Sequence, residues 1–187
     1  MLSNFWTDPI FWICIALTGF LSAVAVFCTP ALKSKFMQFP KPFRRVILLS
    51  FFVAPLFALP LTSQPRLPLP TSTALLMGIP LLAGAAVVKI LAQKQIGASP
   101  GLLEKQELVT TGIYGIIRHP LYLGNILFAT GWALVFKAAY ALLFTPILAI
   151  GYLAVAFFEE RELEKEFGEK YREYKKRVPW RLIPKIF

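Results

Sequence analysis

Apolar residues come in long blocks separated by charged or proline-rich stretches, and the blocks are long enough to cross a membrane. The first covers residues 9–32 and the second residues 46–61, with Pro55 and Pro60 in its far half. The third covers residues 73–92, with Lys89 near its end, where a long stem can carry the charge back to the membrane surface. A spanning helix needs roughly 20 residues at about 1.5 Å each. A last block, residues 121–158, is interrupted only by Lys137. It reads as two helices, 121–136 and 139–158, joined by a tight turn. The fourth span is about 24 Å long if fully helical, so it either crosses with little tilt or stops short. The expected fold is an all-α membrane bundle of about five transmembrane helices in one domain.

After Phe158 the pattern changes. Leu163, Phe167, Tyr171 and Tyr174 recur at helical spacing among Glu, Lys and Arg, which makes one apolar stripe on a strongly helix-forming segment. This predicts a C-terminal amphipathic helix over residues 159–178 that lies on the membrane surface or caps the bundle. Pro179 ends it. No internal repeat or low-complexity linker interrupts the chain.

Composition excludes a soluble reading. Hydrophobic residues make up 57% of the 187 and charged residues 16%, and a soluble domain of this size has too little interior to bury that surface. The net charge is +10, but the bases flank apolar runs, which points to lipid head groups and topology rather than nucleic acid. Lys33, Lys35, Lys41, Arg44 and Arg45 follow the first span, Arg66 stands alone after the second, and Lys94, Lys105 and Arg118 follow the third. Positive loops stay inside, so the N-terminus is expected outside and the C-terminus in the cytoplasm. The first apolar run lacks a basic leader and a small-residue cleavage site, so it is expected to remain as a span. Cys14 and Cys28 lie in or at the end of apolar runs and read as buried thiols. One histidine and two distant cysteines argue against zinc or haem.

The polar chemistry gathers in residues 106–125 and 157–184, at opposite ends of one helical hairpin and therefore near each other. His119, the only histidine, stands between Arg118 and Pro120 at the mouth of the fourth span. Proline favours the first helical position, and a helix N-terminus attracts anions. Arg118 and His119 therefore serve either an anionic ligand group or a lipid phosphate and a helix cap. Glu159 and Glu160 sit at a membrane boundary, where acids need a partner: either a cationic ligand group or a salt bridge to Arg118 or Arg161. Tyr114 and Tyr122 flank the pair as interfacial aromatics or as walls for a planar ring or a cation. Together these groups match a zwitterionic amino-acid head group, or a cofactor that carries one.

Two stretches, LVTTGIYGIIRHPLYLG and EERELEKEFGEKYREYKKRVPWRLIP, resemble the paired signatures of the isoprenylcysteine carboxyl methyltransferase and phospholipid methyltransferase superfamily. They occur in the same order across a hairpin, and the resemblance covers about residues 106–187. It implies S-adenosylmethionine as cofactor and a lipophilic or lipidated methyl acceptor at the cytoplasmic membrane face. It puts cofactor contacts at Gln106, Glu107, Leu108, Val109, Tyr114, His119, Pro120, Leu121, Tyr122 and Glu159, within segments 93–122 and 157–187. The expected catalytic groups are Arg118, His119 and Glu160. Two positions depart from the prenylcysteine enzymes: Gln106 stands where they have histidine, and Val155 where they have an arginine proposed to hold the substrate carboxylate.

A carboxylate acceptor needs no general base, whereas an ammonium acceptor needs one, with His119, Glu159 and Glu160 as candidates. A similar C-terminal pattern also occurs in NADPH-dependent sterol reductases. The ending VPWRLIPKIF fits them, while Asn125, where they usually have aspartate, and the short chain do not. A non-enzymatic membrane protein is the third reading.

Overall fold

Several of the helix breaks fall at a proline or a glycine. The structure, a computed structural model, describes residues 5–96 and 108–186. Its elements are helical, and an isolated bridge between Arg66 and Ala138 is the one β-type pairing among the described residues. Helix α1 (Pro9–Cys28) opens at Pro9, and the Asp8 side chain caps it by accepting from the Ile10 N–H at 2.8 Å. It stops at Thr29, held extended by the proline that follows, and Pro30 opens α2 (Pro30–Gln38). The first span therefore ends at Cys28 rather than at residue 32. Cys14, expected inside, is exposed on α1.

The second block is not one helix. It runs as α3 (Lys41–Leu48), a π turn (Leu49–Val53), α4 (Ala54–Ala58) and a 3-10 turn (Leu59–Leu61). Pro55 has no N–H to return to residue 51, and its ring crowds that carbonyl, so the helix widens just before it.

Helices α5 (Thr71–Ile96) and α6 (Pro120–Val135) approach closely because glycines face each other across the interface. A Cβ on Gly78 would lie 2.8 Å from the Gly131 oxygen, and one on Gly131 would lie 2.9 Å from the Gly78 oxygen. Gly78, Ala85 and Ala92 form a buried small-residue stripe along α5, the usual basis of close helix contact in a membrane. Lys137, in a left-handed conformation (φ 53°), turns the chain into α7. The Lys137 and Ala138 N–H groups close the end of α6 by donating to the Leu134 and Ala133 oxygens, both at 2.8 Å.

Helix α7 (Ala139–Phe167) is about 43 Å long. A bilayer core of about 30 Å is shorter, so the charged end from Glu159 onward projects beyond it. Gly168, at φ 56°, ends α7 and begins α8 (Glu169–Arg177). The tail expected as one helix over 159–178 is therefore two, bent where a residue without Cβ accepts the turn. The stripe still closes on itself: Tyr171, Tyr174 and Val178 form a buried cluster, with Leu108, Leu163 and Phe167 packed against it.

α1, α5 and α7 are each long and apolar enough to cross a membrane; α6, with 16 residues, is shorter. Backbone hydrogen bonds and one ion pair sort the connections into two ends. At one, the Ser63 N–H donates to the Thr7 oxygen at 2.8 Å and the Leu67 N–H to the Lys137 oxygen at 2.7 Å. At the other, Lys33 pairs with Glu162, and the Arg118 N–H donates to the Trp180 oxygen at 2.9 Å.

Candidate functional site

The start of α6 and the far end of α7 are pinned together by the segment after α8. Pro120 opens α6 and leaves His119 as its non-helical cap, so the backbone of Arg118 and His119 is free to pair outside the helix. The His119 N–H donates to the Arg181 oxygen at 2.9 Å, beside the Arg118–Trp180 bond. These two bonds bring residues 118–122, 159–160 and 178–181 into one cluster.

At its centre is Glu160, whose side chain is 4% exposed. Its Oε1 accepts from Arg118 Nε at 2.9 Å and from Arg181 Nε at 3.1 Å, and lies 3.2 Å from His119 Nε2. Arg118 Nη1 donates to the Val178 oxygen at 2.6 Å. Of the alternatives for Arg118, the geometry is that of a salt bridge, with Glu160 rather than Glu159 as partner. Arg181, which sequence reasoning did not single out, is the third cation, and its guanidinium also lies 4.2 Å from the Phe157 ring centroid. The signal for it was its place in the VPWRLIP ending.

Glu159 is placed differently. Its side chain is 22% exposed, its Oε2 accepts from the Tyr122 hydroxyl at 2.8 Å, and it lies 3.4 Å from His119 Nδ1. Its Oε1 takes no hydrogen bond from a described residue. The His119 and Tyr122 rings stack with centroids 5.3 Å apart and planes 3° from parallel, and Tyr122 stacks in turn on Tyr152 at 5.1 Å. Tyr152 lies two helical turns before Glu159 and so shares its face of α7, a spacing that could have flagged it.

Burial alone would lower the His119 pKa, but hydrogen bonds to Glu159 and Glu160 more than offset it, and the imidazole is held above its ordinary 6.5. The folded state therefore favours imidazolium. The stabilisation is fully present below about 6.5 and is lost as pH rises through the elevated folded value. The melting temperature should hold steady below about pH 6.5 and fall as pH rises above it. A His119→Gln variant melted over the same range should show a shallower fall; an identical slope would remove His119 as the source.

The remaining candidates differ in their surroundings, and Leu108 packs against Tyr171, Tyr174 and Val178. Pro120 is fully buried, and Leu121, Leu108 and Val109 are half-buried. The Tyr114 carbonyl accepts from the Tyr174 hydroxyl at 2.7 Å, which ties the 3-10 turn Gly112–Gly115 to α8. Gly112, at φ 58°, makes that turn possible. Gln106 and Glu107 lie outside the described residues.

The residues present fit the cofactor that the motifs imply at one end. The half-open carboxylate of Glu159, backed by a tyrosine hydroxyl and an imidazolium, suits an ammonium. Arg118 is committed to Glu160 and Val178, so the fit holds at the ammonium end and does not rest on Arg118 for an anionic end.

A sequence profile described as phospholipid methyltransferase matches residues 73–170. Methanethiol S-methyltransferase 2 of Bradyrhizobium diazoefficiens is 43% identical over 83 residues, covering 44% of this chain and 30% of that protein. Protein-S-isoprenylcysteine O-methyltransferase of Xenopus laevis is 38% identical over 84 residues, 41% of this chain and 27% of the relative. Delta(14)-sterol reductase of Mus musculus is 32% identical over 84 residues, 44% of this chain and 20% of the relative. The chain thus spans less than a third of the length of each of these relatives.

Proposed function

We propose that this chain, which belongs to the phospholipid methyltransferase family, transfers a methyl group from S-adenosylmethionine to a lipophilic acceptor at the cytoplasmic face of a membrane. The observation that carries this reading is Glu159: a carboxylate held by Tyr122 beside His119, at the boundary where α7 leaves its apolar stretch, with one oxygen that takes no hydrogen bond from a described residue. When bound, the cofactor supplies an electrophilic methyl group on a sulfonium. The protein's part is then to hold charge in place and exclude water. Glu159 would accept from the ammonium of the methionine moiety. Tyr114, Leu108, Val109, Pro120 and Leu121 would line the site, with Gln106 and Glu107 completing it as the motif resemblance implies. In this reading Arg118 and Glu160 act as positioning residues: their pair locks the segment after α8 over the mouth and keeps His119 charged. His119 and Glu160 are then poor bases, which favours an acceptor that needs none.

The same reading runs the chain through the bilayer about five times, with the N-terminus outside, the tail inside and α8 at the cytoplasmic surface. It is supported by the basic loops and by the sorting of connections to two ends. A soluble cofactor would enter from the cytoplasm and a greasy acceptor sideways from the lipid. The likeness to a sterol reductase supports an alternative, in which the same cluster serves NADPH.

Purified protein incubated with a membrane lipid extract and methyl-labelled S-adenosylmethionine should yield a lipid-phase product heavier by one labelled methyl group. Binding of NADPH, with no binding of S-adenosylhomocysteine and no labelled product, would reverse the choice between the two readings.

A further inference from the structure

Within the apolar length of α5, Lys89 holds a positive charge that no carboxylate balances among the described residues. Its partners are neutral: Nζ donates to Asn125 Oδ1 at 2.8 Å and lies 5.9 Å from the centroid of the Phe128 ring. A lysine so placed is expected to reach back to the membrane surface, but this one does not. Side chains on a helix lean toward its N-terminus, which for α5 points away from the Glu159 end. The ammonium accordingly lies beside Asn125 and Phe128, the second almost a full turn further into α6. The lysine stem is seated by an absence: a Cβ at Gly124 would come 2.5 Å from Lys89 Cγ. An unpaired ammonium in such surroundings is costly, and charges within apolar spans usually mark a ligand or ion path.

The neutral partners lead directly to the candidate site. Asn125 uses both ends of its amide, accepting from Lys89 and donating from Nδ2 to the Tyr152 hydroxyl at 3.0 Å. The lysine admits only the oxygen, so the amide orientation is set. Tyr152 stacks on Tyr122, and Tyr122 donates to Glu159. Lys89, Asn125 and Tyr152 therefore form a polar shelf on the lipid side of Glu159 and His119, about 7 to 8 Å inside the start of α6.

We infer that Lys89, with Asn125 and Tyr152 as its support, is the acceptor subsite, and that it selects a lipophilic molecule with an anionic oxygen head group. This rests on the methyltransferase reading and narrows its substrate class to acids rather than amines. A cation repels an ammonium-bearing acceptor and holds a carboxylate or phosphate oxygen, which arrives already deprotonated. The rest of the cluster agrees. Glu160 is enclosed by Arg118, Arg181 and His119, Asn125 and Tyr152 are neutral, and in the methyltransferase reading the Glu159 carboxylate is taken up by the ammonium of the cofactor. The membrane itself offers a second source of the same chemistry, the phosphate of an anionic lipid.

The test uses the full chain in nanodiscs of neutral phosphatidylcholine, with cis-parinaric acid and its methyl ester as probes and tryptophan-to-probe energy transfer as the readout. Wild type should bind the acid at least tenfold more tightly than the ester. Lys89→Met should bind both alike. Asn125→Asp, which supplies an internal counter-ion and keeps the shelf packed, should also lose the preference. Equal binding of acid and ester by wild type, or a preference that survives both substitutions, overturns the assignment. Repeating the titration in phosphatidylglycerol nanodiscs separates the sources. A retained preference supports an acceptor subsite; its abolition assigns Lys89 to lipid phosphate and overturns the subsite. S-adenosylhomocysteine binding, measured alongside by calorimetry, reports on the parent reading: its absence from wild type defeats the methyltransferase proposal whatever the probes show.

Discussion

Glu160→Ala should be the most damaging single substitution in the molecule, lowering stability by about 3–5 kcal/mol. The Arg118 and Glu160 side chains are each 4% exposed, and Arg181 and His119 close on the same carboxylate oxygen. Removing that carboxylate leaves the buried Arg118 guanidinium without a counter-ion and His119 with Glu159 alone, and the penalty is that of the stranded charge more than of the lost bonds. It also frees the segment after α8, whose Val178 carbonyl is held by Arg118. Tryptophan fluorescence during a thermal melt in detergent should show a large drop in melting temperature. A double variant, Arg118→Met with Glu160→Leu, should recover much of it, because two apolar side chains of similar size leave one fewer buried cation. A melting temperature within a degree of wild type for Glu160→Ala would mean that the cluster does not hold the fold together.

Glu159→Gln should do the reverse: a small drop in melting, from the weaker hold on the His119 imidazolium, and S-adenosylhomocysteine binding weaker by about 10- to 100-fold, the worth of one charge-assisted hydrogen bond. Glutamine keeps an acceptor for the Tyr122 hydroxyl and roughly the same volume, so packing is preserved. What disappears is the negative charge, at a side chain exposed enough to meet a ligand. Calorimetry on the detergent-solubilised protein reads this directly. Undiminished binding would move the ammonium contact elsewhere and remove the main support for the proposed cofactor site. The contrast between neighbours is the informative result, since adjacent glutamates of the same helix are expected to fail in different ways, one through the fold and the other through the ligand.

The division between these two acids was not visible along the chain. Both stand at the end of one apolar run, and nothing in their order tells which turns inward. A helix sets successive side chains about 100° apart, so the α7 contacts with Arg118 and Arg181 made Glu160 the buried one. Lys89 is a similar case. Its position near the end of an apolar block suggested a charge returning to the surface, and only the glycine opposite it in α6 shows why the stem lies across the helix interface. Arg181 was legible only as part of a motif ending; its role depends on the chain doubling back after α8.

What the sequence determined by itself was whatever depends on local chemistry: helices of membrane-crossing length, from the run of apolar residues; the start of α6 at Pro120, from the backbone limits of proline; and the presence of acids, arginines and a histidine at one end of a hairpin. Tertiary structure decided which of those charges neutralise each other and which stay open, because pairing joins residues far apart in the chain, 42 positions between Arg118 and Glu160 and 129 between Lys33 and Glu162. Those distances follow from how closely α5 and α6 approach and from where the tail bends at Gly168, both of which belong to the packed bundle as a whole.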